Sequence, residues 1–194
     1  MNTRIFTVVL TIATSLLTIG YAWADADGMM KMCVTCHGED GRGGESDTPI
    51  IAGIPDVILE DALYAYADGD RDCGVKPMMC KVSTRLTEEQ VGELAARYAA
   101  MPFVPAGEEF DSVLAEKGKA IHDSDCAICH GADDPGDAQA SILHGQRMEY
   151  LRSALQQYAA AKRKQLPAME KKTSQLSGED IEALINYYAS YRER

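Results

Sequence analysis

Cys33-Val34-Thr35-Cys36-His37 and Cys126-Ala127-Ile128-Cys129-His130 set out the same pattern, C-x-x-C-H, twice in a chain of 194 residues. Two thiols three positions apart project from one helical turn. They can add to the two vinyl groups of a haem, and the adjacent histidine then falls beneath the iron as an axial ligand. One such motif could instead serve thiol–disulfide exchange or form half of a zinc site. Here there are two, each followed by a glycine (Gly38, Gly131), and a four-cysteine zinc ribbon would leave both histidines without a task. The pattern therefore predicts two covalently bound haem c. Cys33, Cys36, Cys126 and Cys129 are the attachment points, and His37 and His130 the first axial ligands.

A second set of sulfurs lies at Cys73, Met78, Met79 and Cys80. Internal duplication ranks them. Cys33 and Cys126 stand 93 positions apart, and the match continues beyond the motifs. Leu59, Leu63 and Tyr66 align with Leu151, Leu155 and Tyr158 at an offset of 92, and Leu86, Val91, Leu94 and Tyr98 with Leu176, Ile181, Leu184 and Tyr188 at 90. Met169 lies seven residues before Leu176, and Met79 lies seven before Leu86. The repeat thus nominates Met79 and Met169 as the second axial ligands and leaves Met78 as packing. A His/Met pair raises a haem's potential and closes its iron to substrate, which suits electron transfer. With four cysteines committed to haem, Cys73 and Cys80 are expected to form a disulfide; a soft-metal site using Met78 is the alternative. His122 and His144 do not recur between the repeats. They read as surface or hydrogen-bonded core residues, and Tyr98 and Tyr188 as helix packing.

The elements that must position these groups also repeat. A short helix leads into each C-x-x-C-H, and a glycine-bearing loop follows, Gly38–Gly44 or Gly131–Asp137. An amphipathic helix comes next, near Pro55–Ala67 and Met148–Lys164, then a methionine-bearing loop. A terminal helix begins after the N-cap Thr87 or Ser177. Gln90 completes a capping box, whereas Asp180 departs from the usual Glu/Gln. Nothing alternates persistently enough for a strand. The class is all-α, with two tandem haem-wrapping domains over 25–105 and 106–194. Met101–Gly107, with Pro102 and Pro105, is the extended linker.

Residues 1–24 read as a secretory signal: Arg4, an uncharged apolar run from Ile5 to Ile19, then Ala22-Trp23-Ala24 before Asp25. A single membrane anchor is the other reading, though the run falls short of the roughly 20 residues a span requires. Export places the chain in an oxidising compartment, the periplasm. The formal net charge of −11 argues against nucleic acid as partner. Residues 25–105 carry 15 acidic and 7 basic side chains, and 106–194 carry 15 and 11. Lys162, Arg163, Lys164, Lys171 and Lys172 cluster around Met169. They are candidate docking residues for an acidic redox partner, or else the solvated basic end of a helix.

With the motifs, the repeat and the methionines in place, the chain resembles the dihaem cytochromes of the cytochrome c4 type. Within them it is most similar to the dihaem subunit of flavocytochrome c sulfide dehydrogenase. Phe110–His130, Ile142–Leu151 and Pro167–Lys172 (PAMEKK) carry the resemblance, which spans nearly all of 25–194 and is stronger in its second half. It implies two class I cytochrome c domains about a pseudo-twofold axis. The implied ligand pairs are His37 with Met79 and His130 with Met169, and the Pro49 carbonyl would orient His37. It also implies a separate FAD-bearing subunit that oxidises sulfide and passes the electrons to this chain. The chain itself then carries electrons onward to a soluble cytochrome or oxidase and does not act as an enzyme alone. A free-standing c4-type carrier is the alternative, and a haem-site enzyme such as a thiosulfate dehydrogenase a more distant one.

Overall fold

In the computed structural model of the chain, residues 19–44, 47–73, 77–131 and 141–192 are described. Most of the expected signal segment, and most of the second glycine-bearing loop, lie outside them. The first half holds α1 (Ile19–His37), α2 (Asp56–Ala67), α3 (Pro77–Ser83) and α4 (Glu88–Ala99). The second holds α5 (Ser112–Asp125), α6 (Ala127–His130), α7 (Met148–Ala159), α8 (Pro167–Thr173) and α9 (Gly178–Ala189). No sheet forms among the described residues. The one β contact there is an isolated antiparallel bridge between Arg71 and Arg163. Nor is any helix among them long and apolar enough to cross a membrane.

The terminal helices α4 and α9 organise each half. Their apolar residues recur at helical spacing and go inside: Val91, Leu94, Ala95 and Tyr98 in α4, and Ile181, Leu184, Ile185 and Tyr188 in α9. In the second half Leu151 of α7 joins them, with Ile121, Leu143 and Leu155 against the cluster. α5 crosses α9 so closely that a Cβ on Gly118 would stand 2.0 Å from the Ala183 carbonyl oxygen. Only glycine permits that approach. In the first half α1 is fastened to α4 by Arg97, which pairs with Asp27 at 2.6 Å.

Four details differ from the sequence expectation. The methionine segments are not loops but seven-residue helices, each begun by a proline. Proline suits the first helical turn, where its missing N–H would have no intrahelical partner. Both terminal helices carry a complete capping box. Asp180 reaches back to the Ser177 backbone N–H at 3.1 Å, so the shorter carboxylate does what Gln90 does in α4. α7 ends at Ala159, five residues short of Lys164, because the chain turns at Ala161 with φ 53°. Lastly, the helix entering the second motif is interrupted at Cys126, whereas α1 runs unbroken to His37.

The linker runs without helix from Pro102 to Asp111 and lies against two duplicate turns. Gly53 (φ 71°) and Gly145 (φ 76°) donate from their N–H groups to the carbonyls of Tyr98 and Tyr188. A Cβ at Gly53 would meet Phe103 at 2.7 Å, and one at Gly145 would meet Pro105 at 2.8 Å. These positions need glycine both for the left-handed backbone and for the closeness of the linker.

Candidate haem sites and the seam between them

Each histidine of the repeated motif ends a helix and is oriented by a carbonyl across the following loop. His37 Nδ1 lies 3.2 Å from the Pro49 oxygen, and His130 Nδ1 lies 3.3 Å from the Ser141 oxygen. A carbonyl only accepts, so each Nδ1 is the protonated nitrogen. Nε2 is then the nitrogen with a lone pair for iron, the arrangement metal-bound histidines commonly show. Serine replaces proline without loss, because the interaction uses backbone.

The four motif cysteines form no disulfide with each other. In the chain without haem, burial pushes the Cys33 and Cys126 thiols above the ordinary cysteine value. Among the described residues no group of three or more His, Cys, Asp or Glu side chains could hold a metal ion directly, as a zinc site would require. Met79 and Met169 are the third residues of α3 and α8 and are half-buried at equivalent places. Met78 is 58% exposed.

Cys73 and Cys80 are joined as a disulfide, with Cα atoms 6.1 Å apart. Both sulfurs are thereby withdrawn from any soft-metal site. The bond ties α3 to Cys73, two residues after the bridge residue Arg71. The second half fastens α8 differently: the Gln165 side chain donates to the Tyr158 carbonyl at 3.0 Å and accepts from Thr173 Oγ1 at 2.9 Å.

One member of the basic cluster departs from the exposed ring expected from sequence. Arg163 is 5% exposed and so cannot dock a partner. Lys164 pairs with Asp70 at 2.7 Å and Lys162 reaches Asp72 at 3.9 Å, both across the seam between the halves. Lys172 pairs with Asp125 beside the second motif. Lys162, Lys164, Lys171 and Lys172 all remain exposed. The sequence placed these cations side by side, but the acidic partners of Lys162 and Lys164 come from the other repeat, whereas that of Lys172 lies in its own.

At that seam sit two guanidinium groups. Arg71 lies over the Tyr66 ring at 5.0 Å, and its duplicate Arg163 lies over Tyr158 at 5.1 Å. Neither is paired with a carboxylate among the described residues, and the buried Nε of Arg163 has no hydrogen-bond partner. Although burial opposes ionisation, the nearby guanidinium groups of Arg163 and Arg71 hold the Tyr150 pKa below the ordinary tyrosine value. A buried N–H donor without a partner calls for an acceptor, and a haem carboxylate would supply one to Arg163 Nε. α2 adds an apolar counterpart: it carries Val57, Ile58, Leu59 and Leu63 yet buries none of its residues. The thiols and oriented imidazoles of both halves, with the unburied apolar residues of α2 in the first and the orphaned Arg163 donor in the second, fit two haems.

The family description "cytochrome c oxidase, cbb3-type, subunit III" matches residues 113–187. Cytochrome c-554(548) of Halomonas halodenitrificans is 35% identical over 76 residues, covering 39% of this chain and 92% of that protein. The thiosulfate dehydrogenase electron acceptor of Stutzerimonas stutzeri is 27% identical over 187 residues, 90% of this chain and 85% of its own length. Cytochrome c4 of Thiocapsa roseopersicina is 28% identical, covering 84% of this chain and 88% of that one. The solved cytochrome c4 of Acidithiobacillus ferrooxidans has the same fold, with a TM-score of 0.75 over 83% of this chain and 99% of that one, at 24% identity. Sequence, fold and site chemistry agree: the chain belongs to the dihaem cytochrome c4-type family and carries two covalently bound haem c in two class I cytochrome c domains.

Proposed function

We propose that this chain takes electrons from a separate dehydrogenase acting on a reduced inorganic sulfur compound, and hands them on to a soluble cytochrome or oxidase in the periplasm. Haem supplies the one-electron redox chemistry. Cys33 with Cys36, and Cys126 with Cys129, anchor the two groups. His37 with Met79, and His130 with Met169, complete their irons. The observation that carries the reading is the duplication of the whole site: a carbonyl-oriented histidine in each half and a methionine at the third position of each proline-begun helix. Two His/Met irons have no position for substrate, so the chain carries electrons and the oxidation occurs on another polypeptide. Oxidising sulfide to sulfur, or two thiosulfates to tetrathionate, releases a pair of electrons, and one chain with two one-electron centres can receive both.

Two partners are supported by different observations. The resemblance over Phe110–His130, Ile142–Leu151 and Pro167–Lys172 favours an FAD-bearing, sulfide-oxidising subunit. The Stutzerimonas relative, named for accepting electrons from thiosulfate dehydrogenase, favours thiosulfate. Mixing the oxidised dihaem protein with each enzyme and its substrate, against substrate alone, separates them. Rapid reduction of the haem α-band with one enzyme identifies the partner. Reduction by neither would leave a free-standing carrier in place of a dehydrogenase partner.

A further inference from the structure

One buried arrangement has no duplicate. His122, on the inner face of α5, is completely buried. Its Nε2 lies 2.6 Å from the carbonyl oxygen of Gly131, the residue after His130, and its Nδ1 lies 3.0 Å from the Tyr188 hydroxyl. The carbonyl fixes one end of the ring: Nε2–H donates to Gly131, which leaves Nδ1 to accept from the Tyr188 O–H. Tyr188 in turn lies within hydrogen-bonding reach of the Cys126 sulfur. One imidazole therefore links α5, α9, a haem anchor and the turn that carries His130. The His144 ring packs edge-on against it, with centroids 5.1 Å apart.

The first half is built otherwise. Tyr98 stands in Tyr188's place, but its buried hydroxyl has no hydrogen-bond partner. The Gly38 carbonyl, duplicate of Gly131's, accepts from the Gly41 backbone N–H at 3.3 Å. Met29 occupies the position equivalent to His122, at the 93-residue offset of the motifs.

We propose that His122 is a positioning residue for the second haem alone. By holding the peptide after His130 and, through Tyr188, the Cys126 side, it sets the second haem's electronic properties apart from those of the first. This rests on the reading of His130 as an axial ligand. A buried donor aimed at a single carbonyl fixes an orientation that packing alone leaves loose.

The test uses the purified dihaem protein. His122→Phe keeps the ring volume and removes both hydrogen bonds. It should shift the midpoint potential and low-spin electron-paramagnetic-resonance signature of the second haem and leave those of the first unchanged. Tyr188→Phe, which removes one oxygen and serves if His122→Phe fails to fold, should shift the same haem. His122→Gln retains an N–H donor for Gly131 and should restore most of the original values. Tyr98→Phe should change neither haem. Unaltered potentials in both His122→Phe and Tyr188→Phe, or equal movement of both haems, would overturn the proposal. The axial role is checked separately: His130→Ala must abolish the second haem's low-spin signature, which His122→Phe preserves. Failure there overturns the axial assignment itself, whereas an unshifted His122→Phe with that signature intact overturns only the positioning role.

Discussion

Met78 and Met79 are chemically identical neighbours, and only their places on α3 separate them. The proline-begun helix turns the second inward and the first into solvent. Met79→Ala should remove about half of the methionine–iron band at the red end of the oxidised spectrum and lower the first haem's potential. Met169→Ala should remove the other half, and Met78→Ala should change nothing in that spectrum. Protonation is a second residue-scale handle. Bonds from Ser177, then from Lys117, hold the Asp180 carboxyl below the usual range, and Arg152 does the same for Glu182. A carboxyl whose folded pKa is depressed contributes stability above its unfolded pKa and loses it as pH falls through the folded one. Thermal stability should therefore drop below about pH 4, and Asp180→Asn should flatten that drop; an equal slope in the variant would discount the cap. The equivalent placing of Met79 and Met169 was legible because the spacing of Met79 to Leu86 repeats that of Met169 to Leu176. His122 was not, because its partners Gly131 and Tyr188 are distant in sequence and nothing in the other half echoes it.

At the scale of elements, the same helices are secured by different means. α3 is tied by the Cys73–Cys80 disulfide, whereas α8 relies on Gln165. The double Cys73→Ser, Cys80→Ser variant should lose about 2–3 kcal/mol in chemical denaturation, by loop entropy, and its first haem should lose the methionine ligand at lower denaturant than its second. Gly118→Ala tests the α5–α9 crossing. The added carbon would collide with backbone, so we expect a loss of about 1–3 kcal/mol, with Gly178→Ala, which meets nothing within 4 Å, as the neutral control. Helical spacing revealed α4 and α9 because their apolar stripes face a core. α3 and α8 read as loops because seven residues hold barely two turns, too short for a period to show.

For the whole molecule, the duplication and its linker were visible in the sequence, but the seam was not. Contacts such as Gln146 to both Ile50 backbone groups at 2.8 Å, or Arg147 to the Arg42 and Gly43 carbonyls, join residues about 100 positions apart and carry no local signal. Gln146→Leu strands a buried N–H and a buried carbonyl. It should cost about 1–3 kcal/mol for each group left unpaired and split unfolding into two transitions; a single unaltered transition would show the seam to be held elsewhere. The charge pattern has the same origin. Asp70 and Asp72 answer Lys164 and Lys162, so the excess acidity of the first half and the basic cluster of the second are partly two sides of one interface.

The bridge between Arg71 and Arg163 joins a residue to its own duplicate, so it lies on the axis relating the halves. That is the signature of an isologous contact, in which identical surfaces of two copies meet. A single-haem ancestor pairing through this arginine would have formed a homodimer, its assembly governed by protein concentration. The linker replaces that dependence with a fixed effective concentration on the order of millimolar. Once the copies share a chain, each is free to diverge without losing its mate, as the unduplicated disulfide and the unduplicated His122 have done.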